Sequence, residues 1–346
     1  MSPETRTATF LPDGLADPCP GPPDGEPSFS SSVHPQESPS HHNNAQHTTN
    51  ADDEDESIAF RHAGWRLTRR SVRRAMAAAR LPPARLDRFD GCGCSAWLCQ
   101  ATNPAGHKSY RIVADFCHDR LCIPCAISRA ASIRANVRAA LTDGPYRLLT
   151  LTLRHTSHPL DQQIKRLYLS FSRLRRIKLW RDHVIGGLAV LEVKHGDSWH
   201  PHLHVLFEGD FLPQPDVKAA WLRITGDSSI VDLRAVGSGL HAARYVTKYL
   251  TKPLPHCITH DEQLCTEFVA ATEHRKLILT FGCWRQYKLT AHHVPDDHLK
   301  PICPLSELLS RARDGEPFAL AVLESLQRKL NPWQPRSPPI EDGAQT

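Results

Sequence analysis

The stretch from Gly187 to Phe207, GLAVLEVKHGDSWHPHLHVLF, decides how this chain is read. Leu188 to Val193 is apolar and β-branched, and Lys194 to His200, with Gly196 and Asp197, has turn chemistry before a second apolar run. The pattern predicts a β-hairpin. Side chains alternate along a strand, so His202 and His204 share one face while Leu203 and Val205 take the other. Two neutral imidazoles so placed suit a divalent cation, whose third ligand must come from a neighbour. A turn centred near Asp197 sets Glu192 beside His202, which makes Glu192, His202 and His204 the candidate metal ligands. In a chain with 21 histidines an isolated H-x-H pair carries little weight; its neighbours supply the rest.

Upstream, Arg147 to Leu153 alternates Leu149, Leu151 and Leu153 with Thr150 and Thr152, as a half-covered antiparallel strand does. Ala126 to Leu141 is predicted helical. So is Leu160 to Trp180, with Ile164, Leu167, Phe171 and Leu174 at helical spacing and Arg173, Arg175, Arg176 and Lys178 toward its end. Downstream come a short helix from Asp216 to Ile224 and a strand from Ser229 to Val236. Gly237-Ser238-Gly239 then leads into a helix from Leu240 to Lys252 that Pro253 stops, with Ser238 as its cap. A weaker helix from Asp261 to His274 and a strand from Lys276 to Phe281 follow, and the rest through Leu330 reads as helical. One core under these elements predicts an α+β fold, a central antiparallel sheet with helices on one face.

Six of the eleven cysteines crowd between Cys92 and Cys125. A C-x-x-C turn lets two thiolates reach one zinc ion, and an upstream pair completes four ligands. Cys122 and Cys125 are the firmest candidates, then Cys117. Cys92, Cys94 and Cys99 compete for the fourth place, with Cys92 preferred for its Cys-Gly turn, and His118 is a possible substitute. Before them, Trp65 to Arg80 reads as a helix with Arg66, Arg69, Arg70 and Arg73 on one stripe, suited to a phosphate backbone or simply to solvent; Pro82-Pro83 ends it.

The formal charge of +5 hides an asymmetry, because the first 57 residues hold one Arg against eleven acids and leave 41 basic against 26 acidic residues in the body. Such a body favours a polyanion, with nucleic acid foremost. Nothing approaches the ~20 apolar residues of a membrane helix, and Met1 to Phe10 lacks the pattern of a signal peptide. A cytoplasmic protein without a membrane partner is expected, its cysteines reduced or metal-bound.

The order of these motifs resembles the rolling-circle replication initiators of the HUH endonuclease superfamily, of plasmid or phage type. Leu148 to Thr152 is similar to that family's first motif, His200 to Val205 to its HPHxHV strand, and Tyr245 to Lys252 to its YxxKYxxK helix. The likeness spans roughly Cys92 to Arg285. The cysteine run is similar, with looser spacing, to a C-x-x-R-x-C-P-x-C element ahead of the catalytic domain in many initiators. The resemblance implies a site-specific single-strand DNA endonuclease and strand transferase that joins a tyrosine to the 5′ phosphate and frees a 3′-OH primer. Mg²⁺ or Mn²⁺ would be held by His202, His204 and Glu192, and structural Zn²⁺ by the cysteines. Tyr249 would make the first cut and Tyr245 would accept the new strand at termination, with Lys248 and Lys252 orienting the phosphate or lowering a tyrosine pKa. A Glu four residues before the nucleophile, found in single-tyrosine initiators, is here Tyr245, a departure toward the two-tyrosine kind. Origin DNA, single-stranded at the nick, is the implied partner. No Walker-type motif is present, so a host helicase as well as a DNA polymerase is expected.

A two-tyrosine single-strand transposase of the same superfamily and a non-catalytic zinc-dependent DNA-binding protein are the rival readings. The expected organisation is an acidic, Pro/Ser-rich disordered tail over 1–57, a basic helix and zinc region over 58–135, a nicking-joining domain over 136–300, helices over 301–332 and a second tail over 333–346.

Overall fold

The computed structural model describes residues 56–141, 144–236, 256–289 and 298–330. The expected tail at 1–57, except Glu56 and Ser57, which begin the first helix, the expected tail at 333–346, and the tyrosine helix lie outside the described residues. The elements in order are α1 (Glu56–Arg61), α2 (Arg66–Ala78), α3 (Pro83–Asp90), β1 (Cys94–Thr102), β2 (Lys108–Asp115), α4 (Ile123–Ala140), β3 (Tyr146–Thr152), α5 (Leu160–Leu174) and α6 (Lys178–Arg181). Then come β4 (Val184–His195), β5 (Trp199–Gly209), α7 (Gln214–Thr225), β6 (Val231–Val236), α8 (His256–His260), α9 (Glu262–Thr272), β7 (Ile278–Gly282), β8 (His298–Pro304), α10 (Leu305–Arg313) and α11 (Pro317–Leu330).

The fold is α+β, built on a five-stranded sheet in the order β6-β3-β5-β4-β7 with every adjacent pair antiparallel. The hairpin β4–β5 forms its middle. Its turn is tighter than the sequence suggests, because His195 already pairs with Trp199.

The sheet has helical cover on both faces, where the sequence suggested one. Leu149, Leu151, Leu203, Val205 and Phe207 bury one face with Ile164, Leu167 and Phe171 of α5, Trp221 of α7 and Val269 of α9. On the other face, Ile133 and Val137 of α4 close over Tyr146, Leu148, Leu188 and Leu206, with Trp284 alongside. Strand β3 is therefore apolar on both faces at its start, and polar through Thr150 and Thr152 only beyond the reach of α4. Thr150 and Thr152 pair with His204 and His202, so the predicted site occupies that same polar half.

The helix expected over Leu160 to Trp180 breaks after Leu174. The chain turns there and Trp180 packs on Phe171 and Phe207, at ring-centroid distances of 5.8 and 5.4 Å. Burying one indole outweighs continuing a helix through four closely spaced cations.

A second sheet, β2-β1-β8, was not legible in the sequence. Strand β8 falls within the span read as helical through Leu330. Its prolines Pro301 and Pro304 are tolerated because it is an edge strand, hydrogen-bonded to β1 alone. One face of this sheet, with Ala96, Leu98 and Cys303, shares a small core with Leu308 of α10 and Ala319, Val322 and Leu326 of α11.

The arginine stripe of α2 is partly consumed inside the protein. Arg69 donates to the carbonyls of Phe89 and Asp90 at 3.0 and 2.6 Å, and Arg73 Nε donates to both oxygens of the Asp90 carboxylate at 2.8 and 2.7 Å. Both complement the C-terminal end of α3, where unsatisfied carbonyls attract cations. Helix α2 stops at Ala78 in a turn with Arg80 at φ +56°, ahead of the Pro82-Pro83 pair, which instead starts α3, with proline's fixed φ suited to a first turn.

Candidate functional site

The site on the large sheet is built from three adjacent strands. Glu192 lies opposite His202 on the β4–β5 ladder, and Val190 lies opposite His204. The Glu192 carboxylate nevertheless reaches diagonally to His204, with 2.8 Å between Oε2 and Nε2, and Lys194 Nζ stands 3.7 Å from the same oxygen. Glu192 and His204 are both buried, at 7% and 5% exposure, so each needs the other's polar atom. On the far side of the rings, Thr150 Oγ1 is 3.1 Å from His204 Nδ1, and Thr152 Oγ1 is 3.0 Å from His202 Nδ1.

The threonines carry the functional detail that the sequence reading missed. The alternation gives them the polar half of a strand and the resemblance gives them a first motif, but neither gives them a role at the histidines, and a T-x-T strand paired in register with an H-x-H strand places one hydroxyl on each imidazole. A hydroxyl donates or accepts, so it anchors a ring in either tautomer and leaves Nε2 for a ligand role. Burial, then the Lys194 charge, pulls the His202 pKa down to about 4 against the opposing pull of Glu192, which keeps the ring neutral at neutral pH. Two anchored imidazoles and a buried carboxylate are a donor set of the kind that holds a divalent cation.

The three residues share a face without forming a closed triad. Among the described residues, the only group of three or more His, Cys, Asp or Glu whose ligand atoms all lie within 4.8 Å of one another is Cys92, Cys117, Cys122 and Cys125. His202 stands apart from the Glu192–His204 pair, its ring centroid 6.3 Å from that of His204 and 6.4 Å from that of His200, on which it stacks. His200 Nε2 lies 2.6 Å from His155 Nδ1, and His155 is also hydrogen-bonded with Ser198, extending the row of imidazoles to the sheet's edge. Tyr245, Lys248, Tyr249 and Lys252 lie outside the described residues.

The four cysteines come from three places in the chain. Cys92 follows α3, Cys117 follows β2, and Cys122 and Cys125 flank the start of α4. Their sulfurs are 3.6 Å apart for Cys92–Cys125 and Cys117–Cys125, and 3.7 Å for Cys92–Cys122. A tetrahedron with Zn–S bonds of about 2.3 Å has edges of about 3.8 Å. The donor set therefore fits zinc in type, number and spacing. Cys99 is instead a buried residue of β1, and Cys94 donates to Asp115 at 3.5 Å. His118 sits against Phe116 while four thiols complete the set.

The thiols polarise one another. Hydrogen bonds from Cys117, then Cys122, draw Cys125 down to about 7, and those from Cys117, Cys122 and Cys125 draw Cys92 well below the usual thiol range. Contact with Cys117, Cys125 and Cys92 pushes Cys122 upward. Positive charge is at hand: Arg61 of α1 donates to Cys125 Sγ at 3.4 Å while its guanidinium lies 4.0 Å over the Phe116 ring. Gly93, at φ +106°, leaves the room this arginine needs, since a Cβ there would come within 2.8 Å of Arg61 Cδ.

The loop between Cys117 and Cys122 is tied to the large sheet's helical layer. Arg85 donates to Asp119 Oδ2 and Glu273 Oε2, each at 2.6 Å, and Arg120 donates to the carbonyls of Thr272 and, at 2.9 Å, Arg275. The cysteine cluster is thereby docked on the C-terminal end of α9.

Among the described residues, no helix is long and apolar enough to cross a membrane. A family model described as Replication protein matches residues 111–307, from within β2 into α10. "Protein rep" of a Bacillus species is 27% identical over 162 residues, 41% of this chain and 53% of that protein. The Bacillus amyloliquefaciens protein of that name is 27% identical over 162 residues, covering 41% and 48%, and that of Streptococcus pneumoniae serotype 2 is 29% identical over 168 residues, covering 41% and 52%. The chain thus spans about half the length of the curated relatives it matches. No solved structure matches it. The matched span contains the whole five-stranded sheet and its histidine hairpin, and the chain belongs to the replication protein family.

Proposed function

We propose that the protein initiates rolling-circle replication by nicking one strand of origin DNA, and that it rejoins ends at termination. The observation that carries this reading is the threonine-anchored histidine pair beside Glu192 on the central hairpin, inside the region that matches the family. His202, His204 and Glu192 would hold Mg²⁺ or Mn²⁺, which when bound supplies Lewis-acid stabilisation of charge on a phosphate oxygen. Thr150 and Thr152 keep both rings aimed, and the low basicity of His202 keeps it a ligand and not a cation.

Tyr249 is the proposed first nucleophile. Its phenolic oxygen forms a bond to phosphorus as the bond to the 3′ oxygen breaks; the tyrosine gives up its proton and the leaving 3′ oxygen gains one. The phosphotyrosine retains a phosphodiester's energy, so rejoining needs no ATP, and the freed 3′-OH primes a polymerase. Tyr245 takes the second transfer, and Lys248 and Lys252 assist by charge. Cys92, Cys117, Cys122 and Cys125 hold structural zinc. A host helicase and DNA polymerase act with the protein, in the cytoplasm.

The test is covalent trapping. Full-length protein mixed with a labelled single-stranded origin oligonucleotide and Mn²⁺ should give an adduct that survives denaturation, disappears with chelator and is absent in Tyr249→Phe. Tyr245→Phe should still form the adduct but fail to pass it to a second strand. An adduct that forms undiminished in chelator, or in Tyr249→Phe, refutes the mechanism.

A further inference from the structure

Most buried or half-buried arginines of this protein have an evident partner; Arg175 does not. Arg85 holds two carboxylates, Arg120 two carbonyls, and Arg166 donates to Asp227 at 2.5 Å. Arg175, at the C-cap of α5, is half-buried, and its Nε is shielded from solvent with no hydrogen-bond partner. Its guanidinium lies 5.0 Å from the centroid of Phe171 and 5.5 Å from that of Phe281. The flat cation is thus clamped on two rings that are themselves packed edge to face, at 5.6 Å.

Around it stand more cations. Arg176 follows directly, and Arg285 arrives from a different element, the short 3-10 turn Cys283–Gln286 that continues from Phe281 and Gly282. Both are exposed. Burial, then repulsion from Arg285 and Arg176, pulls the Arg175 pKa down, and no carboxylate raises it. A basic helix end that only complements its own backbone dipole would place these side chains near the last carbonyls. Arg175 lies over the two rings, and Arg285 is not part of that helix.

We propose that Arg175, Arg176 and Arg285 form a phosphate-binding site for the backbone of duplex DNA, with Arg175 as its rigid, pre-oriented member. Guanidinium forks match phosphate oxygens, and a cation fixed on aromatic rings loses little side-chain entropy on binding. The site lies far along the sheet from the histidines: Phe281 pairs with Gly187, whereas Glu192 is five residues further up the same strand. At about 3.3 Å per residue that is roughly 17 Å, the span of several base pairs. Phe281 and Phe171 belong to the α5 face and the histidines to the other, so the site would grip duplex that passes around the end of the sheet, away from the strand being cut. The inference rests on the proposed action on DNA but concerns grip, not chemistry.

The experiment measures binding of the full chain to a labelled duplex of random sequence across a range of salt concentrations. Arg176→Gln with Arg285→Gln removes two phosphate contacts and should lower the slope of log K against log salt by about 2, weakening binding about tenfold at moderate salt. Arg175→Lys keeps the charge but loses the stacked fork and should weaken binding by about threefold. Adduct formation on the single-stranded oligonucleotide should be unchanged in all of them. An unaltered salt slope in the double variant overturns the site, as does an equal loss when exposed Lys218 and Arg223 of α7 are both changed to Gln. A wild-type protein that forms no adduct would refute the nicking reading and leave the duplex comparison standing.

Discussion

Arg85 should contribute strongly to the stability of this protein, because it joins the cysteine cluster to the helical layer. It links Asp119, in the loop between two zinc-ligand candidates, with Glu273 at the end of α9. The three side chains are only 18%, 6% and 18% exposed, so solvent screens them little. Truncating one partner of a buried ion pair costs about 3–5 kcal/mol, chiefly through the charges left behind. Here both carboxylates keep something: Asp119 Oδ1 still accepts from Leu121 N at 2.8 Å, and Arg120 stands 3.8 Å from Glu273. Arg85→Ala should therefore cost about 2–3 kcal/mol. At about 2–4 °C per kcal/mol for a unit of this size, the melting temperature should fall by about 5–10 °C. Urea denaturation of the zinc-loaded protein is the cleaner assay, with a lower midpoint at an unchanged slope. A cycle with Asp119→Asn, which keeps an acceptor for Leu121, isolates the pair and should give a coupling of about 1–2 kcal/mol. If Arg85→Ala shifts the midpoint by less than about 0.5 kcal/mol, the bridge is screened like an ordinary surface pair and the docking argument fails.

Three further outcomes follow from the geometry. Purified protein should contain about one zinc per chain by elemental analysis, and Cys125→Ser should release it and lower stability, since ligand binding at such a site is folding free energy; a metal-free wild type that melts at the same temperature would contradict this. Thr150→Val and Thr152→Val should each weaken Mn²⁺ binding by about tenfold, read by calorimetry, while the fold is kept, because they release a ring without removing a ligand; unchanged affinity in both would show that the hydroxyls are passive. Gly187→Ala should destabilise by about 3 kcal/mol or prevent folding, because its Cβ would lie 2.1 Å from the Leu206 carbonyl oxygen across the β4–β5 ladder; a soluble variant with a wild-type urea midpoint would refute that.

The large sheet was legible because its strands announce themselves. Leu149, Leu151 and Leu153 alternate with threonines, and Leu188 to Val193 and Leu203 to Phe207 are apolar runs about a turn with Gly196 and Asp197. Register followed from the turn, which is why Glu192 could be set opposite His202 before any coordinates. The diagonal reach of Glu192 to His204 could not, because it depends on side-chain rotation and on Lys194 crowding the same carboxylate. The small sheet escaped for a different reason. Strand β1 reads CSAWLCQAT, with cysteines that looked like ligands, and β8 reads HLKPICP, with two prolines that argue against a strand unless it is known to be an edge. The second helical face was hidden too, since Tyr146 and Leu148 reveal their burial only once α4 is laid over them. Cys92 was preferred over Cys94 and Cys99 on a turn alone, and the cluster contains Cys92 for a reason of chain path: Gly93 turns tightly past Arg61, whereas Cys99 is already committed to β1.

The pairing of β1 with β8 has a consequence for how the protein is made. Strand β1 begins at Cys94 and its partner ends at Pro304, so the whole five-stranded sheet is threaded between two neighbours in the smaller one. A ribosome delivers β1 long before β8, and during that interval one edge of β1 waits unpaired with Leu98 uncovered by Cys303 and α10. Exposed edges of that kind recruit other chains. The four cysteines, all delivered by residue 125, are in hand well before β8, so a metal captured early would hold the nascent front end in shape while the five-stranded sheet folds behind it. Metal supply during synthesis would then govern how much of the product escapes aggregation, quite apart from anything the finished molecule does.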